Sequence, residues 1–334
     1  MTTLISALPS GQWPIVAEKE DLMARGTAEA FSNWASLLPA SSSEEDEHRS
    51  VYVKGRSSSN QSFFDDIRSH LLGVTEGLRL QMILGDESEQ ARAEMSASAH
   101  RLLLQGLHVA KGFLLHREYH KALALCEICV DLTDHLAMRF GENGELFWLI
   151  LARVVLGSAY ARFHKPAEAM KVLEDGIRFS ERALSLPRSC ARELALQGAC
   201  KALLGNICLD LAADMHNRGG EASAVANIEK AAKLTQFGAM FMAKYLPSVP
   251  GYEQKRLEGA LVISTAYAAR GVCAVRLHKY EEGCEWFEKA KDAIQEFAHP
   301  DSSGHRLLEE VLAHIEHTRV LQHIGAAAGD GDAA

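Results

Sequence analysis

Residues 151–184 read LARVVLGSAYARFHKPAEAMKVLEDGIRFSERAL, and their pattern decides the fold class. Leu156, Gly157 and Tyr160 sit in an apolar run at helical spacing. Phe163, His164, Lys165 and Pro166 break that run. A proline is tolerated in a helix's first turn, where its missing N–H would be unpaired anyway. A second helical pattern follows, with Ala169, Val172, Leu173, Gly176, Ile177 and Ser180 on one side. Small residues lie where two helices approach closely and large ones between them, the layout of a hairpin that buries one face on its partner.

The same layout recurs on either side. Val109, Ala110 and Phe113 precede Ala122 and Cys126; Leu204, Gly205 and Cys208 precede Ala224 and Ile228. Gly271 and Ala274 precede Gly283, Phe287 and Ala290. From the small residue of the first helix to that of the second is 12 residues in three units, Ala110 to Ala122, Gly157 to Ala169 and Gly271 to Gly283. In the unit from Gly205 to Ala224 it is 19. The excess of seven, about two helical turns, is expected to lengthen each helix of that hairpin by one turn.

With its Leu-Gly pair and aromatic on one helix and an Ala followed by a large apolar residue on the next, the chain resembles the tetratricopeptide (TPR) family. Arg153 stands where that family opens with an aromatic, and Glu181 near where it closes with Pro. The unit-to-unit spacing is 47 from Ala110 to Gly157 and 48 from Gly157 to Gly205. These long repeats are similar to those of kinesin-light-chain-like proteins. The resemblance covers roughly residues 100–295. It implies an all-α, right-handed superhelical stack of antiparallel hairpins acting as a protein-interaction adaptor.

Composition agrees with a nearly all-helical chain. Of 334 residues, 47% are hydrophobic and 24% charged, and only 8 are Pro. The net charge of −9 argues against nucleic acid or an anionic membrane as the main partner. No run is read as long enough to span a bilayer, and the start, MTTLISALPSGQWP, lacks the pattern of a signal peptide. Seven scattered Cys suit a reducing compartment, so a cytoplasmic location is expected.

Along the chain, residues 1–39 read as a tail followed by a helix over 14–38, with Leu22, Ala30, Phe31, Trp34 and Leu37 partly on one side. The Ser-rich, polar residues 40–61 read as a disordered linker. Residues 63–324 form the repeat domain, its last helix, about 303–324, capping the open end of the stack. Residues 325–334 read as a disordered tail.

No catalytic motif stands out, and no cofactor or enzymatic activity is expected. Cys126 and Cys129 form a C-x-x-C, but both fall at second-helix positions that face the partner helix and read as small apolar fillers. His116 and His120 lack the spacing of a zinc-protease motif. His314, His317 and His323 with Glu310 read as solvated histidines, with a weak metal site as the rival. Phe237, Met240, Phe241 and Tyr245 form an apolar stripe, which its helical spacing assigns to the core rather than to a partner-binding ridge.

The TPR resemblance places a partner peptide in a groove lined by first helices. Carried over, its lining is Leu107, Lys111, Val154, Ser158, Arg162, Asn206, Asp210, Val272 and Arg276. The local cations favour an acidic, apolar protein or peptide. Only Lys111 matches the carboxylate clamp that grips Hsp70 and Hsp90 tails, so those partners are not expected. Two rival readings are a subunit that buries its outer faces in a larger assembly, and a sensor or enzyme with a small-molecule or metal site between helices.

Overall fold

The computed structural model describes residues 58–84, 88–185, 191–249, 252–300 and 302–329. Among them are ten α-helices and no strand. These are α1 (Ser58–Leu84), α2 (Glu89–Leu115), α3 (Tyr119–Phe140), α4 (Glu142–Arg162) and α5 (Pro166–Ser185). The others are α6 (Ala191–Asn217), α7 (Glu221–Tyr245), α8 (Arg256–Arg276), α9 (Tyr280–Ile294) and α10 (Ser303–Gly329). Two of the sequence boundaries move. α1 begins inside the stretch read as linker, since Ser and Asn cost little in a first turn, and α10 runs past residue 324. The helix read over 14–38 lies outside the described residues.

Each helix packs on its successor, giving four antiparallel hairpins: α2 with α3, α4 with α5, α6 with α7 and α8 with α9. The first helices also pack on one another in chain order. α1 lies on α2 and α3 at one end, and α10 lies on α8 and α9 at the other. First helices are therefore flanked by neighbours, and α4, α6 and α8 are buried around most of their circumference. That burial explains a departure from the sequence reading: by length and composition α4 and α6 are apolar enough to cross a membrane. Most of each is instead buried against other helices of the same chain, where an all-round apolar helix is expected.

The four hairpin turns close identically. The N–H of Glu118, Lys165, Gly220 and Lys279 donates to the carbonyl five residues earlier, of Phe113, Tyr160, Met215 and Ala274, at 2.8–2.9 Å. The residue before each donor has positive φ: Arg117 at 61°, His164 at 55°, Gly219 at 80° and His278 at 58°. Such a closure satisfies carbonyls at the helix end and reverses the chain.

Within a hairpin, helix separation is set by one small residue facing one large one. A Cβ on Gly157 would lie 2.7 Å from the Leu173 side chain, and one on Gly271 would lie 2.8 Å from the Phe287 ring. The corresponding contact of Gly205 corrects the sequence register. Its Cβ would lie 2.6 Å from Thr235 Cγ2 and 3.2 Å from the Ala231 carbonyl, whereas the sequence reading pairs it with Ala224 and Ile228. The second-helix residues are seven positions later than expected. α6 and α7 are thus each longer by about two turns, not one, on the turn side of the contact. A seven-residue slip returns a helix to nearly the same face, so both registers satisfy the apolar pattern.

On the other side of that contact the two backbones nearly touch. A Cβ on Gly238 would lie 2.6 Å from the Ala202 nitrogen and 2.7 Å from the Gly198 carbonyl oxygen. Between first helices, an arginine at the C-terminus of one hairpin's first helix reaches the preceding one. Arg162 donates to the Leu114 carbonyl and Arg276 to the Leu209 carbonyl, each at 3.3 Å. Counted from the small residue of each unit, donor and acceptor occupy the same positions in both pairs. His100 of α2 and Glu145 of α4 add a partly buried contact at 2.6 Å.

Gly238→Ala gains helix propensity but forces a methyl into backbone atoms that cannot yield, for a net loss of about 1–3 kcal/mol. Gly73→Ala in α1, where nothing lies within 4 Å, gains roughly 0.5–1 kcal/mol instead. Urea melts of both variants check the contrast; a Gly238→Ala protein as stable as the parent would disprove the close approach. At the turns, Gly219→Ala is expected to cost about 1 kcal/mol, because the methyl meets a left-handed backbone. His164→Gly relieves such a conformation and leaves stability equal or higher. Thermal midpoints that move the other way would count against the turn geometry.

Candidate functional site

The surface carried over from the TPR resemblance is mostly interior. Leu107, Val154, Ser158, Asn206 and Val272 are buried, because each lies on a first helix with neighbours on several sides. The Ser158 hydroxyl donates to the Val154 carbonyl of its own helix (2.8 Å). Lys111, Arg162 and Arg276 are half-buried and Asp210 is exposed. Arg162 and Arg276 spend at least one N–H each on the carbonyl of the preceding first helix. The nine residues therefore do not form one continuous open lining; what reaches solvent is a charged set near the turns.

Cys126 and Cys129 lie in the core. Cys129 Sγ is 4.0 Å from the Leu103 carbonyl oxygen and fills the space beside Gly106. Burial pushes both thiols far above their ordinary range. Cys200 and Cys273 are pushed up to about 12 for the same reason. Among the described residues no three His, Cys, Asp or Glu side chains are grouped to hold a metal. The C-terminal histidines do not converge: His314 stacks on Phe287 at 5.1 Å, His317 is half-buried and His323 is exposed. His120 packs edge-on against Phe163 at 4.6 Å, while His116 is exposed.

An open cleft of about 790 Å³ lies between the C-terminal halves of α3 and α5, over the N-terminal half of α4. Its floor holds Arg153, the residue at the place of the family's aromatic, only 7% exposed. An arginine inside an apolar run must find partners. Arg153 donates to Asp134 Oδ1 (2.7 Å) and to the Leu149 carbonyl (3.2 Å), and its guanidinium lies 4.6 Å from the Phe179 ring centre. At the rim Arg178 pairs with Asp175 and Arg182 with Glu142. Every arginine of the cleft thus faces a carboxylate, so the cleft holds a balanced charge lattice rather than an anion site.

α7 carries a different surface. Phe237 and Met240 are 53% and 51% exposed, and Phe241 and Tyr245 are half-buried beside them. The three rings follow one another at 6.5 and 5.5 Å. The stripe is therefore a ridge at the surface, not core. The opposite face of α7, with Thr235, Gly238, Ala239 and Met242, makes the close contact with α6. The spacing of 3 and 4 marks a face without saying what covers it. Lys201 of α6 lies 5.3 Å from the Phe237 ring centre and 5.9 Å from that of Phe241. Lys244 lies 5.0 Å from that of Tyr245. Sequence reasoning missed Lys201; its signal is a lysine one turn before Gly205, on the helix that packs against α7.

The buried thiols have a pH signature. The fold holds the neutral thiol, so the native pKa lies above the unfolded one. The stability this contributes is complete below pH 9, the ordinary value of 9.0, and is lost as pH rises toward 12. In a Cys190→Ser background, maleimide at pH 7 should label Cys284 first and leave Cys126, Cys129, Cys200 and Cys273 protected. Mass mapping across pH 7–11 checks this, with labelling of the four expected to follow alkaline unfolding. Rapid native labelling of Cys126 and Cys129 would mean an accessible dithiol.

No protein-family model matches the chain, and no curated protein matches it.

Proposed function

We propose that this chain is a non-catalytic protein-interaction scaffold, a TPR-like stack of the right-handed kind implied by its sequence resemblance, and that it works in the cytoplasm. The four identical turn closures and the recurring arginine-to-carbonyl contact support treating the hairpins as successive repeats. The partner docks on the α7 ridge. One observation carries this reading: large apolar side chains at half exposure form a continuous strip in contact with lysines. Exposed aromatic surface rimmed by cations is the composition of a recognition patch rather than of a solvated face.

The ridge is favoured over the first-helix surface for a physical reason. Arg162 and Arg276 already hold neighbouring helices together, so charge reversal there would act on the stack as well as on any ligand.

A photoreactive amino acid at position 240 of the full chain, irradiated in cell extract, identifies the polypeptide seated on the ridge. Binding of that purified polypeptide is then measured by calorimetry. Phe237→Ala with Met240→Ala should weaken it about 10–100-fold, the loss expected when two anchor side chains are truncated. Arg178→Glu, in the charged cleft, should leave it unchanged. Equal affinities for the ridge variant and the parent would overturn the reading.

A further inference from the structure

The strip on α7 has a sign as well as a shape. At about 100° per residue, Lys230, Lys233, Phe237, Met240, Phe241 and Lys244 fall within an arc of about 100°. All are exposed except Phe241, which is half-buried. From Lys230 to Tyr245 α7 carries no carboxylate, in a chain of net charge −9. The preceding one, Glu229, sits about 80° round the helix from Phe237, outside that arc.

Neighbouring helices leave most of this positive charge in place. Glu174 of α5 takes Lys230 at 3.7 Å. α6 adds a further cation, Lys201, at the rings of Phe237 and Phe241. Lys201, Lys233 and Lys244 form no salt bridge among the described residues. We infer that the ridge takes an acidic amphipathic helix of another protein, with large apolar side chains on Phe237 and Met240 and carboxylates at Lys233 and Lys244. This gives the partner its chemistry and rests on the ridge being the docking surface. Cations at both ends of an apolar strip select the ligand's sign and fix its register. Lys233 and Lys244 lie about 16 Å apart along the axis, or about three turns of a docked helix.

A helix is favoured because α7 offers side chains and no backbone. An extended peptide laid on it would find no sheet edge, leaving its N–H and C=O groups without partners there, whereas a helix satisfies its own. Ring geometry disfavours a nucleic acid. Phe237, Phe241 and Tyr245 meet edge to face, at 65° and 61°, and a lysine lies over each ring. Stacked bases need open ring faces. An anionic membrane would meet the field of a chain that is negative overall.

The test uses the full chain and three fluorescent synthetic helices. One has Leu and Phe on one side and Glu on its flanks; the second has Lys for every Glu; the third keeps the acidic composition but scrambles the apolar side. Anisotropy at low salt should show the first binding about tenfold or more tighter than the other two, and weakening as salt rises. Lys233→Glu with Lys244→Glu changes two exposed side chains, so the thermal midpoint should match the parent's. The acidic helix should then bind roughly tenfold more weakly and the basic one more tightly. Phe237→Ala with Met240→Ala should also weaken the acidic helix, which a purely ionic attraction would not show. Equal binding of acidic and basic helices, no binding of the acidic helix, or an affinity untouched by the lysine reversal would overturn the inference. So would tighter binding of oligothymidylate or of phosphatidylserine vesicles than of the acidic helix. The polypeptide recovered through position 240 separates the two claims. If Phe237→Ala with Met240→Ala weakens its binding and the lysine reversal does not, the docking surface stands and only the acidic chemistry is wrong. If neither weakens it, both fail.

Discussion

Spacing between the two helices of a hairpin depends on one kind of contact, a residue without bulk on one helix receiving a side chain from the other. Gly157 takes Leu173, Gly271 takes Phe287 and Gly205 takes Thr235. Everything else is arranged from that point. It fixes which face of each helix turns inward, and so which residues of the first helix are left for the next hairpin. Gly176, one heptad after Ala169, receives Cys200 from α6. One hairpin's second helix thereby seats the following hairpin's first helix. Protein interiors are close-packed, so such contacts tolerate little change in volume.

Helix ends and buried charges make the rest cohere. Arginines at the ends of α4 and α8 each donate to a carbonyl of the preceding first helix, Leu114 near the end of α2 and Leu209 within α6. Arg153 and Arg270 are almost wholly buried, held by Asp134 and Glu282 of their own or the preceding hairpin, with Phe179 and Trp286 packed nearby. Neither pair is strong evidence of stability, since desolvation opposes the attraction. Removing Asp134 or Glu282 would leave an arginine charge buried without its partner, which is the costly half of breaking such a pair.

The elongated third hairpin separates two jobs along one helix. The added turns lie between Gly205 and the turn, and between the turn and Thr235. Beyond Thr235 the inner face of α7 comes against the backbone of α6, through Gly238. The outer face of that same stretch carries the aromatic ridge. A helix pinned this tightly on one side is a rigid platform on the other. Rigid aromatic side chains on such a platform lose little conformational freedom on binding.

By itself the sequence determined the helical class, the four hairpins, their turns and most helix boundaries. Periodicity, Pro and Gly placement and the recurring small-large pattern are local properties, and they survive without knowledge of the whole. Two things were decided only by tertiary structure. The third hairpin's register was one, because Ala224 with Ile228 and Ala231 with Thr235 lie a heptad apart on nearly the same face. Exposure was the other. Leu107, Val154, Ser158, Asn206 and Val272 have the spacing of a lining, yet neighbouring helices cover them; Phe237 and Met240 have the spacing of a core, yet nothing described covers them. Helical periodicity states which residues share a side, but only the packing of all ten helices states which sides meet water.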